Sequence, residues 1–263
     1  MKIQDKAVLI TGAGRGIGAA MALRFAEESP RGVVVSDIDE VGAQRVAGQV
    51  RELGVDAVAV RTDVSQRAAV RALAAAAEHA FGPPELVCSN AGVATGLGIH
   101  AADKVWAAAW AVNVAAHIHL AQAVLPGMAR RGEGHLVITA SAAGLLGLPG
   151  DAPYSVTKHA AVGLAEWLAF TYGPTGVRVS ALCPLGVRTD LLMPGIRGGH
   201  PSARAVTGTA PLLEPGDVAE ATVSGLADER FLILPHAEVT ALRVSRASDP
   251  DGWIAVQQQW SHR

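Results

Sequence analysis

The strongest constraint on this chain is an alternation of two kinds of segment. Short, β-branched and largely apolar runs at residues 7–10, 33–35, 55–60, 86–88, 136–139, 177–182 and 231–234 read as strands, and the longer alanine-rich segments between them carry helical periodicity. Strands without polar alternation suit a sheet covered on both faces. Helix-length connections between them require mostly parallel pairing. The expected architecture is therefore an α/β fold, a doubly wound parallel sheet of about seven strands with helices on both faces.

With 263 residues, 50% hydrophobic and 17% charged, the chain can bury one large core. No repeat or linker divides it, so residues 1–263 are expected to form one domain. Within it, residues 190–213 read as a lid and 236–263 as a C-terminal tail bearing Trp253 and Trp260, placed over the substrate cleft or at a subunit contact. A net charge of -2 without basic blocks gives no grip on nucleic acid. No uninterrupted apolar run approaches the roughly 18 residues of a membrane span and the start lacks a signal pattern, so a cytoplasmic protein with no membrane partner is expected. Cys88 and Cys183 lie in apolar stretches and read as reduced core thiols. His117 and His119 stand two apart, on different sides of a helix, and no other grouping suggests a metal.

The first strand runs into Thr11-Gly12-Ala13-Gly14-Arg15-Gly16-Ile17-Gly18, followed by a helical run at 19–26. Glycines here permit a tight turn and bring backbone N–H groups and a helix N-terminus up to a pyrophosphate, a Rossmann-type arrangement. Gly12, Arg15, Gly16, Ile17 and Gly18 are the candidate contacts, although such turns also serve flavin and S-adenosylmethionine folds. About 20 residues on, the second strand ends at Asp37, followed by Ile38, where a carboxylate can accept both adenosine ribose hydroxyls. A 2′-phosphate there would meet like charge, costing about 4 kcal/mol at ~4 Å in an effective dielectric of ~20. NAD is favoured over NADP, with Arg15, a possible 2′-phosphate ligand, as the counter-argument. Asp63 and Val64 after the third strand, and Asn90, Ala91 and Gly92 after the fourth, stand at carboxyl ends of strands, where ligands of open α/β sheets bind.

The second half supplies reactive groups. Tyr154 and Lys158 lie four apart, on one side of a helix begun by Asp151 and Pro153. A phenol near pKa 10 is a poor base unless a neighbouring ammonium favours its phenolate, which is the effect expected of Lys158. Ser141 follows the fifth strand. Asn113 interrupts an alanine-rich helix expected over 103–131, where asparagine is intrinsically unfavourable.

With TGAGRGIG, Asn90-Ala91-Gly92, Asn113, Ser141 and Tyr-x-x-x-Lys in this order, the chain resembles the short-chain dehydrogenase/reductase family over about residues 5–235. The resemblance implies hydride transfer between a nicotinamide and a secondary alcohol or ketone, with Tyr154 as acid/base. It implies that Lys158 also binds the nicotinamide ribose, that Ser141 holds the substrate oxygen and that Asn113 binds a water continuing the proton path. Pro184, Val187 and Thr189 match the family segment that clamps the nicotinamide carboxamide, but Leu185 replaces its glycine. Family members pair the Asn113 and Tyr154 helices across subunits, which implies a homotetramer or, failing that, a homodimer. Leu191, Leu192, Met193, Ile196 and Val206 give the lid an apolar face, so the expected substrate is an apolar alcohol or ketone. The alternatives are an NADP-dependent reductase of a ketone or carrier-bound acyl group, and a non-catalytic dinucleotide sensor.

Overall fold

Each apolar run contributes a strand in the computed structural model, which describes residues 1–261. The strands are β1 (Ala7–Thr11), β2 (Gly32–Asp37), β3 (Ala57–Arg61), β4 (Leu86–Ser89), β5 (Gly134–Thr139), β6 (Val177–Leu182) and β7 (Leu232–Ile233). All pair in parallel in the order β3-β2-β1-β4-β5-β6-β7. Every residue of β1, β2, β4 and β5 is buried, as expected of strands covered on both sides.

One face is covered by α1 (Gly16–Ala26), α2 (Glu40–Glu52) and α10 (Pro215–Ala227), which bring Met21, Phe25, Val46, Val50, Val218 and Leu226 onto the sheet. The other face takes α3 (Arg67–Phe81), α5 (Ala116–Arg131) and α7 (Ala152–Tyr172) through Leu73, Leu120, Leu125, Ala161 and Leu168. Strand order reverses between β1 and β4. In such sheets the crevice at that reversal, beyond the carboxyl ends of the strands, is where ligands bind.

Several elements differ from the sequence reading. β3 begins at Ala57 rather than Val55, because the Val55 N–H is drawn back to the Val50 carbonyl in the turn leaving α2. α1 starts at Gly16, inside the glycine turn, not at Ala19. The expected 103–131 helix is three pieces: α4 (Asp103–Trp110), a π-helical stretch Ala111–Ala115 and α5. Residues 105–129 carry no Asp, Glu, Lys or Arg, against the expectation that no such run exists; by length and composition the helix could cross a membrane, yet half of its most apolar part is buried within the fold. The lid is helical, with α8 (Met193–Arg197) and α9 (Pro201–Thr207) each carrying proline in its first turn, where the missing N–H costs nothing.

The tail folds as α11 (Glu238–Ser248) and α12 (Pro250–Ser261). Val239, Leu242 and Trp253 pack against Ala142, Leu146 and Leu185, and Trp253 Nε1 donates to the Leu146 carbonyl at 3.3 Å. Arg246 donates to the neighbouring Leu145 carbonyl. The tail therefore backs α6 (Ala143–Leu146), the short helix that follows Ser141. The side chain of Trp260 lies outside the described residues.

Candidate active site

A cleft of about 700 Å³ crosses the carboxyl ends of the strands. It is lined by the candidate residues named from the sequence except Gly18, Asn113 and, of the expected apolar lid face, Met193 and Ile196. Its dinucleotide half is built on the glycine turn. Gly12 has φ +64°, a conformation that favours glycine, and an added Cβ would stand 2.7 Å from Ala91 Cα. Gly18 lets α1 approach β1: a Cβ there would meet the Gly12 carbonyl at 2.2 Å. Asn90 fixes this turn from β4, its amide donating to the carbonyls of Thr11 and Gly12 at 3.1 Å each, so its side chain is committed to the turn itself.

Asp37 accepts from the Gly14 N–H at 2.8 Å and the Asp39 N–H at 3.0 Å. Each carboxylate oxygen keeps further acceptor capacity, and Asp37 lines the cleft beside the more exposed Ile38. Asp63 holds Ser65 through its N–H and hydroxyl, with Val64 between them facing the cleft. Arg15 is turned to the lid, its guanidinium 3.9 Å from the Asp190 carboxylate. These residues fit a dinucleotide: an open glycine turn at one end, an acceptor carboxylate about 20 residues further on, and a tight backbone approach between them.

The chemical half is set by α7. Asp151 caps this helix by accepting from the Tyr154 N–H at 3.0 Å, and Tyr154 and Lys158 then share a side of the helix facing the cleft. The Lys158 ammonium is buried, 5.6 Å from the Tyr154 ring centroid, and donates to the Thr139 carbonyl at 2.8 Å. Burial lowers its pKa to about 8. Ser141, at the end of β5, accepts from the Ala143 N–H and reaches the Pro184 carbonyl at 3.4 Å.

The expected acidification of Tyr154 is not what the protein environment produces. Burial pushes the phenol up to about 12; the Ser141 hydrogen bond opposes this and the Asp151 charge adds to it. The Lys158 ammonium is directed at the Thr139 carbonyl, and burial disfavours the phenolate in the protein alone.

Asn113 sits in the π-helical stretch, fully buried. Its carbonyl oxygen accepts from the Val93 N–H at 2.8 Å, and its amide donates to the Val93 carbonyl at 2.8 Å and Thr157 Oγ1 at 3.1 Å. The side chain thus ties the loop after β4 to α7. His117, one turn on, is fully buried with Nδ1 2.6 Å from the Ser89 hydroxyl; burial and then the Lys158 charge lower its pKa to about 3. Pro184, Val187 and Thr189 line the cleft, with Leu185 beside them. Burial raises both thiol pKa values, that of Cys183 to about 12. Among the described residues no group of three or more His, Cys, Asp or Glu could hold a metal.

Sequence reasoning took Asp151 only as a helix start. The structure gives its carboxylate three more partners, the N–H and hydroxyl of Thr95 and the N–H of Gly96, at 2.6–2.8 Å. The Asp-x-Pro pattern signals the cap, but nothing local signals the link to the loop after β4.

Fold and cleft together define a dinucleotide-dependent oxidoreductase. The family model described as short chain dehydrogenase matches residues 6–196, and the chain belongs to the short-chain dehydrogenase/reductase family. It is 34% identical to estradiol 17-beta-dehydrogenase 11 of Mus musculus, over 97% of this chain and 83% of that protein. It is 33% identical to 1-deoxy-11-beta-hydroxypentalenate dehydrogenase of Streptomyces avermitilis, over 99% and 96% respectively. Among solved structures, a short-chain dehydrogenase/reductase from Burkholderia phymatum in complex with NAD superposes with a TM-score of 0.86 at 33% identity, covering 98% of this chain and 96% of that one.

Proposed function

We propose that this protein transfers hydride between NAD(H) and an apolar secondary alcohol or ketone, with Tyr154 as the acid/base. The observation that carries this reading is the presence of Ser141, Tyr154 and Lys158 in the same cleft as the glycine turn and Asp37. When bound, the nicotinamide takes or supplies the hydride. Ser141 holds the substrate oxygen beside the phenol, and Tyr154 gives that oxygen a proton in reduction or accepts one in oxidation. Lys158 supplies positive charge below the phenol and contacts the ribose. Asn113 fixes the surrounding loop, so a water carrying the proton path would use its main chain rather than its occupied amide. Leu185, Leu191, Leu192 and Val206 give the substrate half an apolar wall.

NAD is preferred over NADP because Asp37 would repel a 2′-phosphate, and this outweighs Arg15, whose exposed guanidinium stands 3.9 Å from Asp190. Competing titrations of NADH and NADPH test this, and tighter NADPH binding refutes it. The decisive variant is Tyr154→Phe: turnover should fall by at least the 10²–10⁴ typical of a lost acid/base while NADH binding persists. Near-normal turnover in that variant would sink the assignment.

The assembly proposed is a homotetramer, with a homodimer as second choice. Trp110 on α4 and Val156, Trp167 and Phe170 on α7 are exposed apolar side chains on the two helices expected to pair. Light scattering of the purified protein tests it; a monomer at micromolar concentration refutes it.

A further inference from the structure

Residues 184–189 leave β6 and line the cleft. The Pro184 carbonyl accepts from the Ala142 N–H at 2.8 Å and from the Ser141 hydroxyl at 3.4 Å. The next two peptide groups are held by one side chain from the start of the tail. The Leu185 N–H donates to His236 Nδ1 at 3.2 Å, and the Gly186 carbonyl faces His236 Nε2 at 3.1 Å while also accepting from the Leu213 N–H at 3.0 Å. A backbone N–H only donates and a carbonyl only accepts, so these contacts require one form of the ring: neutral, with its hydrogen on Nε2. His236 is 3% exposed, and its own carbonyl accepts from the Val239 N–H as α11 begins.

We propose that His236 is a positioning residue: as a neutral imidazole it clamps two consecutive peptide groups of the 184–189 segment. It thereby fixes Pro184, Val187 and Thr189 against the cofactor and, through the Pro184 carbonyl, Ser141 against the substrate. This rests on the dinucleotide reading above. It also accounts for the departure at Leu185. The leucine side chain packs into the tail cluster with Val239 and Trp253, and its N–H is held by the same tail. Protonation would place a hydrogen on Nδ1 facing the Leu185 N–H, two donors opposed, and would open that side of the clamp. Among the described charged groups Glu238 acts on the ring and favours the cation, as do the Gly186 and Pro211 carbonyls; burial opposes them and prevails.

The test titrates NADH, by fluorescence, into the wild-type protein and into His236→Ala, His236→Gln and His236→Asn at pH 8 and pH 5.5. At pH 8 the alanine variant should bind NADH on the order of tenfold more weakly, the scale of two neutral hydrogen bonds. Gln retains a donor for Gly186 and Asn an acceptor for Leu185, so both should fall between alanine and wild type. Any loss of wild-type affinity on acidification should set in below the ordinary histidine value and should be smaller in His236→Gln. A histidine ¹⁵N–¹H spectrum of the wild type should show His236 as the Nε2–H tautomer with a bare Nδ1. Folded variants within twofold of wild type at both pH values, or a protonated Nδ1 at pH 8, would overturn the proposal. Should the alanine variant fail to fold, the Gln and Asn variants and the wild-type spectrum decide it by the same criteria. A wild-type protein that binds no NADH overturns the function and this inference together, whereas normal wild-type binding with indifferent variants overturns this inference alone.

Discussion

Replacing Asp151 by alanine should separate what holds the substrate side of the cleft from what holds the cofactor. The carboxylate is 2% exposed and accepts from Tyr154 N–H, Thr95 N–H and hydroxyl, and Gly96 N–H. Losing the cap costs about 1 kcal/mol. The Thr95 and Gly96 N–H groups are half-buried, so water recovers part of their loss and each adds about 1 kcal/mol, the low end for an abandoned donor. The sum is about 3 kcal/mol, or roughly 5–6 °C in Tm for a chain of this size. Asp151→Asn, whose single carbonyl oxygen can serve about half of these donors, should cost about half as much. Urea unfolding followed by circular dichroism measures both. Substrate kcat/KM should fall with Tyr154 and the Thr95 loop loosened, while the dissociation constant of NADH stays within twofold. An alanine variant within 0.5 kcal/mol of wild type, or one that loses cofactor affinity as strongly as substrate turnover, would refute this account of the carboxylate.

Three further outcomes are expected. His117 and His135 are buried with pKa values lowered to about 3, burial being the main cause for each. The unfolded chain therefore binds more protons below the ordinary histidine value, and stability falls with pH from there downward, by about 2 kcal/mol per ring at pH 5; unfolding midpoints equal at pH 8 and pH 5 would contradict this. Gly18→Ala sets a Cβ against the Gly12 carbonyl, so calorimetry should find NADH affinity reduced at least tenfold; unchanged affinity would mean the turn tolerates displacement. Alcohol oxidation, which needs the phenolate, should rise with pH into the alkaline range while ketone reduction, which needs the phenol, stays level until Tyr154 titrates; pH–rate profiles in both directions check the pattern.

Most strands were legible because a strand buried on both faces leaves a largely apolar run, and their parallel pairing, though not their order, followed from the length between runs. What escaped were features decided by partners distant in sequence. Val55 looks like strand, but the turn after α2 claims its N–H. Pro194 and Pro201 look like loop, yet stand in first helical turns where proline is harmless. The candidate site was legible wherever chemistry demands rare residues at fixed spacing, as with Tyr154 and Lys158. Asp151 and His236 were not, since each acts on backbone groups far away in the chain that no local pattern announces. The raised Tyr154 value has a related cause: spacing along a helix brings an ammonium near a phenol but says nothing of the burial that opposes it in the protein alone.

The sheet's margins bear on how the molecule tolerates crowding by its own copies. β7 offers only Leu232 and Ile233 before Pro235, which has no N–H to donate, and at the opposite margin β3 ends in the cation Arg61. Neither rim gives an incoming strand a long uncharged ladder to zip onto, so sheet-to-sheet polymerisation is starved of a template at both ends. Variants that lengthen β7 or neutralise Arg61 would be the ones to watch for fibrous precipitation, even with the chemistry intact.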